Sequence, residues 1–122
     1  MKLSEDYNSG SYMINGYDSE GIIINQRTYS CSLIVSNHQL LENWPLQDIS
    51  QLTTDNLTPI LELNPEVILI GTGSTLTFPP VASYSNIIQS GLGIEFMDSI
   101  AACRTYNILL SEDRNVVAGI IL

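Results

Sequence analysis

The sequence predicts an α/β domain: a mixed β-sheet with helices on its faces and a β-hairpin near the N-terminus. Three observations carry this expectation. Val67-Ile68-Leu69-Ile70 is a continuous apolar run, the mark of a central strand covered on both faces. Downstream of this run the pattern reads helix, strand, helix, strand, which implies a parallel crossover, right-handed by the usual rule. Upstream it reads as short antiparallel strands, so the sheet is mixed.

Taken in order, Tyr12 to Tyr17 and Gly21 to Asn25 are strands flanking the turn-rich Asp18-Ser19-Glu20, a hairpin. Tyr29 to Val35 is expected as a third strand, with Cys31, Leu33 and Val35 alternating against Ser30, Ser32 and Ile34. The pattern is weak from Ser36 to Thr54; there Pro45 pushes Trp44, a core or rim anchor, toward an extended conformation. Leu57, Ile60 and Leu61 have helical spacing, with Thr54, Asp55 or Thr58 as cap, and Pro59 is expected in the first turn. Pro65 ends that helix. Pro79-Pro80 open the next one, whose buried stripe is expected to be Val81, Tyr84, Ile87 and Ile88 and whose C-terminal cap is Gly91. Ile94 to Met97 is a strand, and Asp98 or Ser99 caps a helix reaching Leu110. The apolar side chains of that helix fall nearly all round its axis, so it is expected to be buried on every side, by another layer or by a second subunit. Ser111 to Asn115 turn the chain into a final strand, Val116 to Leu122.

The length of 122 residues fits one domain, 1–122, with 1–10 loosely held. An apolar fraction of 44% argues against disorder. Thirteen carboxylates stand against Lys2, Arg27, Arg104 and Arg114, a net charge of −9. Nucleic acid is held by clustered cations that this chain lacks, and anionic lipid surfaces are disfavoured for the same reason. Cys31 and Cys103 have no CxxC spacing and read as reduced thiols. The opening residues, MKLSEDYNSG, show neither an apolar signal core nor an Arg-rich transit segment, and no apolar run approaches the roughly 20 residues of a membrane helix. A cytoplasmic protein without membrane insertion is expected.

Four constellations could carry chemistry. Gly71-Thr72-Gly73-Ser74-Thr75 comes directly after the central strand, where nucleotide-binding folds place phosphate loops, but Leu76 replaces the third glycine of a dinucleotide fingerprint and no Lys follows Gly73. A tight structural turn is favoured over an anion site, because glycine mainly reports backbone geometry. Cys103 and His38 could pair as nucleophile and base, yet an inert buried thiol is the stronger reading. One histidine and two distant cysteines give no metal-ligand spacing. Arg104 and Asn107 lie roughly 60° apart on the last helix. If that helix is buried, Arg104 must be paired, with Glu112, Glu95 or Glu62 as partners. A structural strut is favoured there over a pocket for an anionic group.

Pro65 to Gly73, Gly93 to Asp98, Ala101 to Leu110 and Glu112-Asp113-Arg114 together resemble a family of small α/β domains of unknown function. Ile14-Asn15-Gly16-Tyr17 and Ile22-Ile23-Ile24-Asn25 are similar to its opening hairpin. The family includes the mitochondrial NADH dehydrogenase (respiratory complex I) assembly factor 3. The resemblance implies a three-layer α/β/α sandwich and, for mitochondrial members, a role in assembling complex I; it brings no established catalytic residues or cofactor. The family-like Arg104, Asn107, Glu112 and Arg114 are candidates for a pocket or contact surface. With no transit segment, a bacterial origin is expected. The leading expectation is a non-enzymatic interaction or assembly protein whose partner is another protein. The alternatives are a small-anion or nucleotide-binding domain or enzyme built on Gly71, Thr72, Gly73, Ser74 and Arg104, and a plain homodimer.

Overall fold

The computed structural model describes residues 11–122. The expected loose segment at 1–10 lies outside the described residues. Strands β1 (Ile14–Asp18), β2 (Gly21–Ile24) and β3 (Arg27–Tyr29) form one antiparallel sheet, in order β1-β2-β3. Strands β4 (Leu33–Ser36), β5 (Leu40–Leu41), β6 (Val67–Gly71), β7 (Gly93–Met97) and β8 (Val116–Ile120) form a second, in order β5-β4-β8-β6-β7. Within it β6 runs parallel to β7 and β8, while β4 is antiparallel to β5 and β8, so the sheet is mixed. The helices are α1 (Thr54–Leu61), α2 (Ser85–Gln89) and α3 (Ser99–Ser111).

Alternation along the five-stranded sheet divides the core in two. Leu33, Val35, Leu69, Val116, Ala118 and Ile120 face Ala102, Cys103 and Tyr106 of α3, together with Ile14, Ile22, Ile24 and Tyr29 of the small sheet. Ile34, Ile68, Ile70 and Val117 face Leu57 and Ile60 of α1, Ile87 of α2, and Trp44, Leu46, Ile49 and Leu52 of the intervening segment. The result is three layers: α3 with the three-stranded sheet, the five-stranded sheet, then α1 and α2. Two glycines permit close approaches between the layers. A Cβ on Gly119 would lie 2.7 Å from Cη2 of Trp44, whose indole N–H donates to the Asn56 carbonyl at 3.0 Å. A Cβ on Gly71 would lie 2.8 Å from Ser99 Oγ and 3.1 Å from Ala102 Cβ, so α3 sits directly on the end of β6.

Several sequence expectations are corrected. The stretch expected as one strand from Tyr29 to Val35 is two, because the chain leaves the small sheet after Tyr29 and enters the large one at Leu33. Thr53, one residue before the expected caps, closes a capping box with Asn56, so Pro59 stands in the second turn of α1. Proline there forgoes one helical hydrogen bond, to the carbonyl of Asp55 on the exposed side of the helix. Pro79-Pro80 open only a 3-10 turn (Val81–Ser83) before the short α2. Of the expected stripe Ile87 is buried and Tyr84 half-buried, while Val81 and Ile88 are exposed. The last helix is not buried all round: Ile100 and Ile108 are 46% and 56% exposed.

Candidate functional site

The Gly71–Thr75 loop is closed by the protein itself. Thr72 N–H donates to the Met97 carbonyl at 2.8 Å and Gly73 N–H to Ser99 Oγ at 2.9 Å, while Ser99 Oγ–H donates to the Ile121 carbonyl at 2.5 Å. Ser99 N–H in turn donates to the Gly73 carbonyl at 2.8 Å. The Thr72 hydroxyl donates to the Thr75 carbonyl at 2.6 Å and accepts from Thr77 N–H at 3.2 Å. An anion cradle needs amides that converge on empty space, and here those of Thr72 and Gly73 are spent internally. Gly73 has φ +101, the left-handed conformation the turn demands. Ser74 is exposed. The buried Ser99 bonds the loop to Ile121, the residue that follows β8, a role beyond the helix cap that its sequence position suggests.

Arg104 is exposed and makes no ion pair among the described residues, so the expected pairing with Glu112, Glu95 or Glu62 is overturned. The wheel explains it: Arg104 lies roughly 200° from Ala102, the residue that meets Gly71, and between Ile100 and Ile108 on the open face. The anion-binding alternative required Arg104 beside the Gly71 loop, and the two sit on different sides of α3; that alternative is not favoured. Arg104 does border a cleft of about 260 Å³ between Ile14–Tyr17 and Ile100, Cys103 and Asn107.

Asn107 is a strut. Its Oδ1 accepts from Ile14 N–H at 3.0 Å and its Nδ2 donates to the Ile14 carbonyl at 2.6 Å, imitating a neighbouring strand at the outer edge of β1. One residue earlier, the Tyr106 hydroxyl donates to the Tyr12 carbonyl at 2.7 Å, and burial raises that phenol well above its usual pKa. Glu112 and Arg114 do not pair with each other. Arg114 Nε donates to Glu66 Oε2 at 2.9 Å, and Asn115 N–H donates to Glu66 Oε1 at 3.1 Å, bracing the starts of β6 and β8. The Asn115 amide and the Arg114 guanidinium hold the Glu66 carboxyl below its ordinary pKa. Glu112 is exposed at the C-terminal cap of α3.

Cys103 is a poor nucleophile. Burial, reinforced by the Asp98 charge, pushes its thiol up to about 12. His38 borders a different cleft, with Glu62, Leu110 and Arg114, so the structure does not assemble a Cys–His pair. Cys31 and Cys103 are both free thiols. Among the described residues no group of three or more His, Cys, Asp and Glu side chains could hold a metal ion.

The surface that stands out is apolar. Leu76, Phe78, Val81 and Ile88 are 51%, 63%, 63% and 55% exposed along the segment joining β6 to β7. The Phe78 and Tyr84 rings lie 5.9 and 4.8 Å from that of Phe96 on β7, extending the aromatic surface to the sheet edge. Helical spacing draws Val81 and Ile88 into a buried stripe, so sequence reasoning misses this ledge.

Residues 14–121 match a family model described as a protein of unknown function (DUF498/DUF598). Over 122 residues the chain is 38% identical to the "13 kDa major membrane protein" of Francisella tularensis subsp. holarctica, covering 99% of each. It is 28% identical over 110 residues to NADH dehydrogenase (ubiquinone) 1 alpha subcomplex assembly factor 3 of Xenopus tropicalis, covering 88% of this chain and 60% of that one. The chain thus spans about 60% of the length of that assembly factor. The crystal structure of a Bordetella parapertussis protein superimposes with a TM-score of 0.85 at 31% identity, over 93% of this chain and 97% of that one. Among the described residues no helix is long and apolar enough to cross a membrane.

Proposed function

The chain belongs to the DUF498/DUF598 family of unknown function, and from that premise we propose that it is a non-enzymatic interaction domain acting in the maturation of respiratory complex I. One observation carries the interaction reading: Leu76, Phe78, Val81 and Ile88 are all exposed on the segment that leads into β7, with Phe78 set against Phe96 of that strand. Single exposed apolar residues are ordinary, but a run of them bordering a sheet edge is the kind of surface a partner covers. Arg104, between Ile100 and Ile108 on the open face of α3, is a smaller contact in the same reading. The respiratory assignment rests on the relationship to complex I assembly factor 3. A cytoplasmic place of action fits the net charge of −9, which disfavours anionic lipid.

The test is deletion of the gene in its own organism, with measurement of assembled, NADH-oxidising complex I on native gels. The amount should fall and be restored by the wild-type chain, with the other respiratory complexes unchanged. An undiminished amount of complex I contradicts the respiratory assignment.

A further inference from the structure

β7 is an outer strand of the five-stranded sheet, five residues long, whereas the opposite edge, β5, has two. The Met97 carbonyl points inward, accepting from Thr72 N–H. Amide groups alternate in direction along a strand, so those of Gly93, Glu95 and Met97 face β6 and those of Ile94 and Phe96 face outward. Nothing among the described residues covers them in the way Asn107 covers the edge of β1. The side chains alternate too. Ile94 and Phe96 lie on the α2 side, beside Tyr84 and the exposed Phe78. Glu95 lies on the α3 side, exposed, at the centre of the strand.

Glu95 decides the nature of the occupant. Were two copies to pair antiparallel through β7 over its full length, Ile94 would face Phe96 and Glu95 would face Glu95. Directly opposed residues stand about 4.5–5.5 Å apart at Cβ, and like charges there are destabilising. A carboxylate at mid-edge thus opposes self-pairing, a recognised means of blocking edge-to-edge association. The same carboxylate favours a strand that brings a cation opposite it, and the whole chain carries −9.

We propose that β7 accepts an extended segment of a partner protein as a sixth strand. That segment has a Lys or Arg opposite Glu95 and apolar side chains on either side of it, seated over Ile94, Phe96 and Phe78. Main-chain hydrogen bonds to Ile94 and Phe96 hold it, and the alternating side chains select it. This rests on the interaction reading of the apolar ledge and gives the partner a chemistry.

The probe is a blocked eight-residue peptide of alternating valine and lysine, set against its valine–glutamate counterpart. Amide hydrogen exchange is monitored by NMR. Saturating lysine peptide should slow exchange at Ile94 and Phe96 by about tenfold or more, and the glutamate peptide should not. Ile94→Pro removes an outward N–H while sparing the ladder to β6, so it should melt as a folded domain and lose the peptide. Glu95→Lys should reverse the preference between the two peptides, which keeps the proposal testable if the proline variant fails to fold. Protection elsewhere, equal protection by both peptides, or none would overturn the proposal. So would concentration-dependent protection of Ile94 and Phe96 without peptide, which would make a second copy the occupant. If Glu95→Lys restores complex I in the deletion strain as well as wild type does, the strand-acceptor proposal falls and the assembly role stands; if deletion has no effect, the assembly role falls.

Discussion

Asn107→Ala separates a structural role from a ligand-binding one. The substitution removes two hydrogen bonds, at 3.0 and 2.6 Å, and leaves the Ile14 N–H and carbonyl at the edge of β1 without a protein partner. Each bond contributes about 1 kcal/mol net, roughly 2 kcal/mol together. Alanine is the better helix former in the middle of α3 by about 0.5 kcal/mol, which offsets part of the loss. The expected destabilisation is therefore about 1.5 kcal/mol, or about 6 °C in Tm for a domain of this size. Urea and thermal denaturation measure the cost, and hydrogen exchange locates it: the Ile14 amide should exchange faster while the amides of β6 and β8 keep their relative order. A variant with wild-type stability and an unchanged Ile14 amide would refute the strut and return Asn107 to the candidates for ligand contact.

The site geometry sets two further outcomes. Cys103, buried and with its thiol pushed up to about 12, should resist iodoacetamide at neutral pH in the folded protein and react once denatured; rapid alkylation in the native state would show that the α3 face opens. Glu66 has a depressed pKa, so its contribution to stability is present above the ordinary glutamate pKa and is lost as pH falls through the lower folded-state value. Glu66→Gln should accordingly destabilise at neutral pH by a small margin that closes on acidification, as seen in paired urea titrations; a margin that widens in acid would refute the assigned contacts.

Legibility in the sequence divides along physical lines. The apolar run at Val67–Ile70 names the central strand because burial on both faces leaves no polar position, and β6 does lie between β7 and β8. Asp98 names the start of α3 because its side chain accepts from Ala101 N–H, a bond of purely local geometry. The failures are tertiary. Residues 29–35 keep a strand-like pattern across the point where the chain changes sheets, since alternation does not record which sheet a residue joins. Ile100 and Ile108 suggest a helix covered all round, but apolar residues are not obliged to be buried, so the sequence does not reveal the open face that carries Arg104. For the same reason Val81 and Ile88 pass for core. Asn107 stands out for its setting on α3, yet its partner, Ile14, is 93 residues away and no local signal points to it.

A photo-crosslinking amino acid in place of Phe78, introduced at native expression in living cells, tests the interaction claim most directly. The account predicts a discrete product with a complex I subunit or another of its maturation proteins, lost when Glu95 is changed to Lys. Products identical to those from the same probe at exposed Leu61, on α1, would contradict it.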